Sequence, residues 1–224
     1  MGATNYKLLS YDKIPSTQTL AAQMIADNAA TDKTVIIAAA QTAGRGRSTR
    51  KWVSHHGNLY SSFIYKIDSH RPTLSYAFAV AAAETLLYFN IPVEIKWPND
   101  LLAGGKKISG LLLEYCHNFL IVGIGINIKT CPSVELYKTA KTDDFVKGLT
   151  PIKVVNELIK NFEKWRHADF SSIRKRWMEL SIDASTPLNY RGKPAQFCGM
   201  NEDGAIILRM GHKYELVYGD EVFT

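Results

Sequence analysis

The spacing of apolar residues changes several times along the chain, and each change marks an element. Residues 6–11 read as a strand, while residues 17–29 place Leu20, Ala21, Met24 and Ile25 on one helical face, with Ser16 positioned to cap it. Strands are expected at 34–40 and 58–65, and the glycine- and arginine-rich segment 42–51 between them has no apolar period and reads as a loop. Behind Pro72, residues 73–88 carry apolar residues at helical spacing in an amphipathic pattern. Strands are predicted next at 93–97, 107–115 and 119–127, and helices at 152–165 and 173–180. Beyond residue 182 come short strand signals at 188–191, 195–199, 205–210 and 214–217, divided by turns such as Asn201-Glu202-Asp203-Gly204.

Three successive strand signals with short connections favour hairpins in a mixed or antiparallel sheet, so the fold class expected is α+β. The division expected is a first domain over 1–181 and a small C-terminal β-barrel over 182–224. With 46% hydrophobic and 21% charged residues, the 224-residue chain has an ordinary globular composition. The longest apolar stretch, 77–83, is too short for a bilayer, which needs about 20 residues. Residues 1–12 lack the features of a secretory signal, which points to a cytoplasmic location. Cys116, Cys131 and Cys198 are odd in number and show no paired spacing, so they are read as reduced and mostly packed. A net charge of +6 suits an anionic partner, nucleic acid or nucleotide.

Three segments carry candidate chemistry. In Gln41-Thr42-Ala43-Gly44-Arg45-Gly46-Arg47-Ser48-Thr49-Arg50-Lys51-Trp52, glycines permit close backbone approach and arginines offer multidentate donors, which together describe a mobile anion clamp; the plain alternative is a solvated basic loop. Lys96-Trp97-Pro98-Asn99-Asp100, followed by Gly104-Gly105-Lys106-Lys107-Ile108-Ser109-Gly110, brings lysines to a turn with an amide and a carboxylate, which would suit a triphosphate with its magnesium ion; the alternative is an ordinary hairpin. Gly123-Ile124-Gly125-Ile126-Asn127 fails the dinucleotide fingerprint, and taken alone its glycines read as close strand packing. His55-His56 reads as no metal site, and Arg174-Lys175-Arg176 as a solvated helix face.

Together with Ser16-Thr17, these segments resemble the biotin protein ligase family in order and spacing, over residues 6–128, and the C-terminal segment looks like that family's SH3-like domain. The resemblance implies a catalytic domain similar to class II aminoacyl-tRNA synthetases and an ATP-dependent ligase. Such an enzyme activates biotin as its adenylate and joins it to a lysine of a biotin carboxyl carrier protein, such as that of acetyl-CoA carboxylase. By the same resemblance Ser16, Thr17, Gln18 and Gln41 bind the biotin ring, with Arg45 and Gly46 closing over it. Arg47 contacts the adenylate phosphate, and Lys107 holds the biotin carboxylate and then the acyl-phosphate oxygen. Trp52, Lys96, Asn99 and Asn127 lie around the nucleotide, and magnesium accompanies the ATP; no metal ligands are assigned.

Two positions depart from the family pattern: Gln18 stands where asparagine is usual, and Thr49 where a glycine is usual. The second is expected to stiffen the loop, since a β-branched residue resists positive φ. The first catalytic strand begins near Tyr6, so no helix-turn-helix domain is expected, and with it no repressor role and no DNA partner. Monomers and homodimers both occur in the family. A lipoate or octanoyl ligase is the nearest rival reading, and a basic nucleic-acid-binding module the rival from another class.

Overall fold

These signals condense into a seven-stranded mixed sheet with helices on both faces and a second, four-stranded sheet docked beside it. In this computed structural model, residues 5–133, 137–182 and 188–218 are described; expectations that touch 1–4, 134–136, 183–187 and 219–224 lie outside them. The outermost strand β1 (Lys7–Ile14) leads through α1 (Thr17–Ala26) to β2 (Thr34–Gln41), which pairs with it in parallel. β3 (Leu59–Lys66) then adds to β2 antiparallel, and α2 (Leu74–Tyr88) crosses to the far side, where β4 (Glu94–Lys96), β5 (Asp100–Ala103), β6 (Lys106–Cys116) and β7 (Phe119–Ile126) form a meander. β7 closes against β3, giving the order β1-β2-β3-β7-β6-β5-β4 with every pairing except the first antiparallel. The mixed α+β sheet is as the patterning predicts. Only β5 escapes it, because four residues bounded by Pro98 and Gly104 read as turn chemistry rather than as a strand.

α3 (Pro151–Arg166) and α4 (Phe170–Leu180) follow, and both are amphipathic: Val155, Leu158, Ile159 and Phe162 of α3 and Ile173 and Trp177 of α4 are buried. α2 differs from its amphipathic expectation, since twelve of its fifteen residues are buried. It lies between the sheet and the two later helices, so it has no solvent face to supply with polar residues. The first helix stops at Ala26, short of the expected 29, where Asn28 adopts a positive φ of 56°.

The C-terminal strands β8 (Leu188–Tyr190), β9 (Lys193–Met200), β10 (Ile206–Met210) and β11 (Lys213–Val217) form an antiparallel sheet ordered β11-β10-β9-β8, consistent with an SH3-like unit. It is fastened to the larger part by specific contacts. The Tyr76 hydroxyl donates to the Gly204 carbonyl at 2.8 Å, and the Trp177 and Phe197 rings meet edge to face at 5.5 Å. Arg174 donates to the carbonyls of Met200 and Asn201. Arg174 and Arg176 therefore correct the expectation of a solvated basic face: the first clasps β9, and the second donates to Glu84 of α2 at 2.9 Å. Cys116 and Cys131 are half-buried as reduced thiols, but Cys198 is exposed rather than packed.

Glu84 joins three helices, accepting from Lys164 at 2.9 Å, from the Trp165 indole at 2.7 Å and from Arg176. Burial pushes its pKa up, but the hydrogen bonds from Lys164, Trp165 and Arg176 together outweigh this and hold it below 4.5. A depressed carboxylate contributes stability that is complete above 4.5 and is lost as the pH falls through the folded value. Glu84→Gln should therefore cost about 1–2 kcal/mol at neutral pH and flatten the acid limb of stability. Urea titrations of both proteins at neutral and acidic pH check this; parallel acid limbs would assign the sensitivity to other groups.

Candidate active site

Two rows of residues run across the face of the sheet that α1 only half covers. Ser62, Gly123 and Leu112 pair across β3, β7 and β6, and two residues along, Tyr60, Gly125, Gly110 and Asp100 form the second row. Side chains on this face alternate with those buried beneath α2, and Ala21 and Ile25 of α1 cover one end by packing with Ile36, Ile64 and Ile121. What α1 leaves open is a cleft of about 750 Å³.

Glycine at 110, 123 and 125 gives this cleft its depth. A Cβ on Gly125 would lie 2.5 Å from Cε2 of Trp52, one on Gly110 would lie 2.9 Å from its Cζ3, and one on Gly123 would lie 2.5 Å from Oε1 of Gln18. Gly110 and Gly125 face each other across β6 and β7, so the indole lies on a strip of sheet with no side chains. The glycines thus make room for side chains above the sheet, a more specific role than close packing between strands.

At the α1 end the polar groups are already organised. Ser16 caps the helix, its hydroxyl accepting from Thr19 N–H at 3.4 Å. Gln41, at the end of β2, accepts from Thr17 N–H at 2.8 Å through Oε1 and donates through Nε2 to Ser54 at 2.9 Å. The Ser62 hydroxyl lies 2.9 Å from both Thr17 Oγ1 and Gln18 Oε1. The longer side chain of Gln18 reaches across to the Leu112 carbonyl at 3.5 Å.

The arginine-glycine segment is a narrow hairpin rather than an open loop. Arg45 bridges Lys51 antiparallel, Gly46 N–H donates to the Arg50 carbonyl at 2.8 Å, and Trp52 N–H donates to the Gly44 carbonyl at 2.9 Å. Ser48, at φ 55°, takes the left-handed position of its turn, so Thr49 escapes the strain expected of it. The hairpin is fixed on two sides. Arg45 makes a bidentate pair with Glu114 at 2.5 and 3.1 Å, and Arg47 donates to Asn99 Oδ1 at 3.2 Å. Burial, with Arg50 nearby, lowers the pKa of the Arg47 guanidinium, and Asp100 opposes the shift.

Lys107 reaches the cleft through a β-bulge. Leu101 pairs with Ser109 but Leu102 with Lys107, so Ile108 is the extra residue; it turns into the core while Lys107 turns onto the face of Gly110. Its Nζ lies 2.7 Å from Asp100 Oδ1 and stands 5.2 and 5.1 Å from the centroids of Trp52 and Tyr137. Among the described residues no group of three or more His, Cys, Asp or Glu would hold a metal, and His55 and His56 are exposed. Asp100 is the carboxylate facing the cleft, which fits magnesium, an ion that takes one or two carboxylates and completes its shell with water and substrate phosphates.

Of the residues singled out in the sequence, Ser16, Thr17, Gln18, Gln41, Arg45, Gly46, Arg47, Trp52, Lys96, Asn99 and Lys107 all line this one cleft. Asn127 does not line it: its side chain is buried and donates to the Ala140 carbonyl at 2.9 Å, tying the segment beside Lys107 to the end of β7. Ser62, Tyr137 and Asn189 line the cleft without having been anticipated. Ser62 had a signal, being with Ser61 one of two adjacent serines in a buried and mostly apolar strand. Tyr137 and Asn189 arrive by tertiary packing and had none.

The model of the biotin/lipoate A/B protein ligase family matches residues 11–130. The bifunctional ligase/repressor BirA of Bacillus subtilis is 30% identical in a match covering 96% of this chain and 73% of its own. The biotin--[acetyl-CoA-carboxylase] ligase of Paracoccus denitrificans is 29% identical, covering 84% and 89%. Among solved structures, the biotin protein ligase of Aquifex aeolicus in complex with biotin and ATP superposes with a TM-score of 0.80 at 25% identity over 95% of each chain.

Gly125→Ala should lift the Trp52 indole off the sheet, costing about 1–3 kcal/mol by overpacking. Urea titrations of both proteins measure the loss; an unchanged midpoint would show that the indole can shift without cost.

Proposed function

Because the chain belongs to the biotin/lipoate A/B protein ligase family, we propose that it binds biotin and ATP in this cleft, forms biotinyl-5′-adenylate, and transfers biotin to a lysine of a biotin carboxyl carrier protein. The observation that carries this reading is one cleft with two unlike ends: a neutral array of hydroxyls and amides from Ser16, Thr17, Gln18, Gln41 and Ser62, and a cationic end from Lys107, Lys96 and Arg47.

The neutral end offers donors and acceptors side by side, which suits a cyclic urea better than an alkyl chain and favours biotin over lipoate. At the cationic end, a carboxylate must approach an α-phosphate of the same charge. Lys107 and Arg47 lower that repulsion and stabilise the charge that develops as the carboxylate oxygen bonds to phosphorus and pyrophosphate leaves. Magnesium, held by Asp100 and the phosphates, would neutralise the leaving pyrophosphate. In the second step the acceptor lysine's amine bonds to the acyl carbon, AMP departs, and a proton is released as the amide forms. The hairpin over residues 44–52 would keep water from the mixed anhydride between the steps.

The proposal extends to a catalytic part over 1–181 with an SH3-like part over 182–224, and to a cytoplasmic location; no helix among the described residues is long and apolar enough to cross a membrane. It covers ligation alone, without a repressor role; binding to double-stranded DNA at physiological salt would overturn that restriction.

Incubation with ATP, magnesium and either biotin or lipoate, followed by mass spectrometry, tests the reading. Wild-type protein should yield biotinyl-adenylate, and Lys107→Ala at least a hundredfold less. Lipoyl-adenylate alone would move the chain to the lipoate branch, and no adenylate with either acid would refute acid activation.

A further inference from the structure

The hairpin of residues 44–52 lies across the cleft as a strap. Its base is packed: a Cβ on Gly44 would come within 2.4 Å of the Trp52 carbonyl, and Trp52 itself rests on the glycine strip. Its arms are held on both sides. Arg47 reaches Asn99 in the β4–β5 turn, and Arg45 forks onto Glu114 near the far end of β6. Glu114 continues the row of cleft-facing positions 110 and 112, paired with Ile121 of β7, so its carboxylate is carried by rigid sheet.

Arg45 also borders a second cavity of about 500 Å³, lined by Ala22, Pro72, Leu113, Tyr115 and Ile121, and Glu114 lines this cavity as well. The pair therefore stands as a wall between the cleft and an apolar space. From this geometry we infer that Glu114 is a positioning residue, the latch that holds the strap shut through Arg45 and so retains the acyl-adenylate until the acceptor arrives. The inference rests on the ligase reading above and adds to it a residue that touches neither substrate nor nucleotide.

Both partners are partly exposed, at 41% and 31% of their side chains, so the latch is one that opens: a pair of this kind is modest in strength and screened by salt. Its bidentate form makes it directional, fixing Arg45 in one orientation. Removing the carboxylate should leave the bond-forming step intact and change how long the intermediate stays.

The test is single-turnover formation of biotinyl-adenylate followed by its release, by rapid filtration, in wild type, Glu114→Ala and Glu114→Gln. Adenylate should form at saturating substrates within twofold of the wild-type rate in both variants, while its release quickens about three- to tenfold, with free adenylate and its hydrolysis products appearing in solution. Raising the salt should speed release from the wild type towards the variants' rate and leave the variants nearly unchanged. If wild type forms no adenylate, the ligase reading itself fails. If it does, and Glu114→Gln retains the adenylate as long as wild type at every salt concentration, the latch is refuted and the reading stands. Should Glu114→Ala unfold, Glu114→Gln and the wild-type salt series still decide.

Discussion

The contact on which the site depends is an indole lying on bare backbone. Gly110 and Gly125 face each other across two strands, and Trp52 fills the space that their missing side chains leave. The indole anchors one end of the arginine-glycine hairpin, presents a face to the Lys107 ammonium, and lines the cleft. A sheet with ordinary side chains at these positions would be easier to pack but would have no cleft. The rest of the fold supplies rigidity to this strip: the other face is sealed by a helix with no solvent side, and three helices are locked by one carboxylate.

Electrostatics divide the cleft in a way that suits the proposed chemistry. Its neutral end is internally satisfied, with Gln41, Thr17, Ser62 and Gln18 bonded to one another, so a ligand there exchanges existing hydrogen bonds for new ones. At the other end Lys107 is paired with Asp100 and flanked by two rings, which hold an ammonium near the bottom of a cleft without leaving its charge uncompensated.

Much of this was legible in the sequence, because the elements that build the sheet carry strong local signals. The apolar strand runs, the Ser16 cap and the helix periods of α3 and α4 come from nearest-neighbour chemistry, and eleven of the twelve residues proposed for the site converge on one cleft. What was not legible is tertiary in origin. The burial of α2 depends on what packs on its outer side, and β5 depends on pairing with β4 and β6 rather than on its own four residues. Asn127 shows the limit of motif reading: it ends the glycine-rich strand beside the cleft, yet its amide serves the backbone at Ala140. The turn at Ser48 and Thr49 shows the same limit at the scale of one dihedral angle.

The bulge at Ile108 places the lysine by a break in the count of residues rather than by the side chains around it. Exchanging neighbours leaves the ammonium where it is, because the pairing of β5 with β6 decides which way position 107 points. Were the two strands to pair at their present length without the bulge, plain alternation would turn the lysine beneath the sheet, into a hydrocarbon interior that would not accept its charge. The cleft therefore tolerates drift in what its strands are made of far better than any change in how they pair.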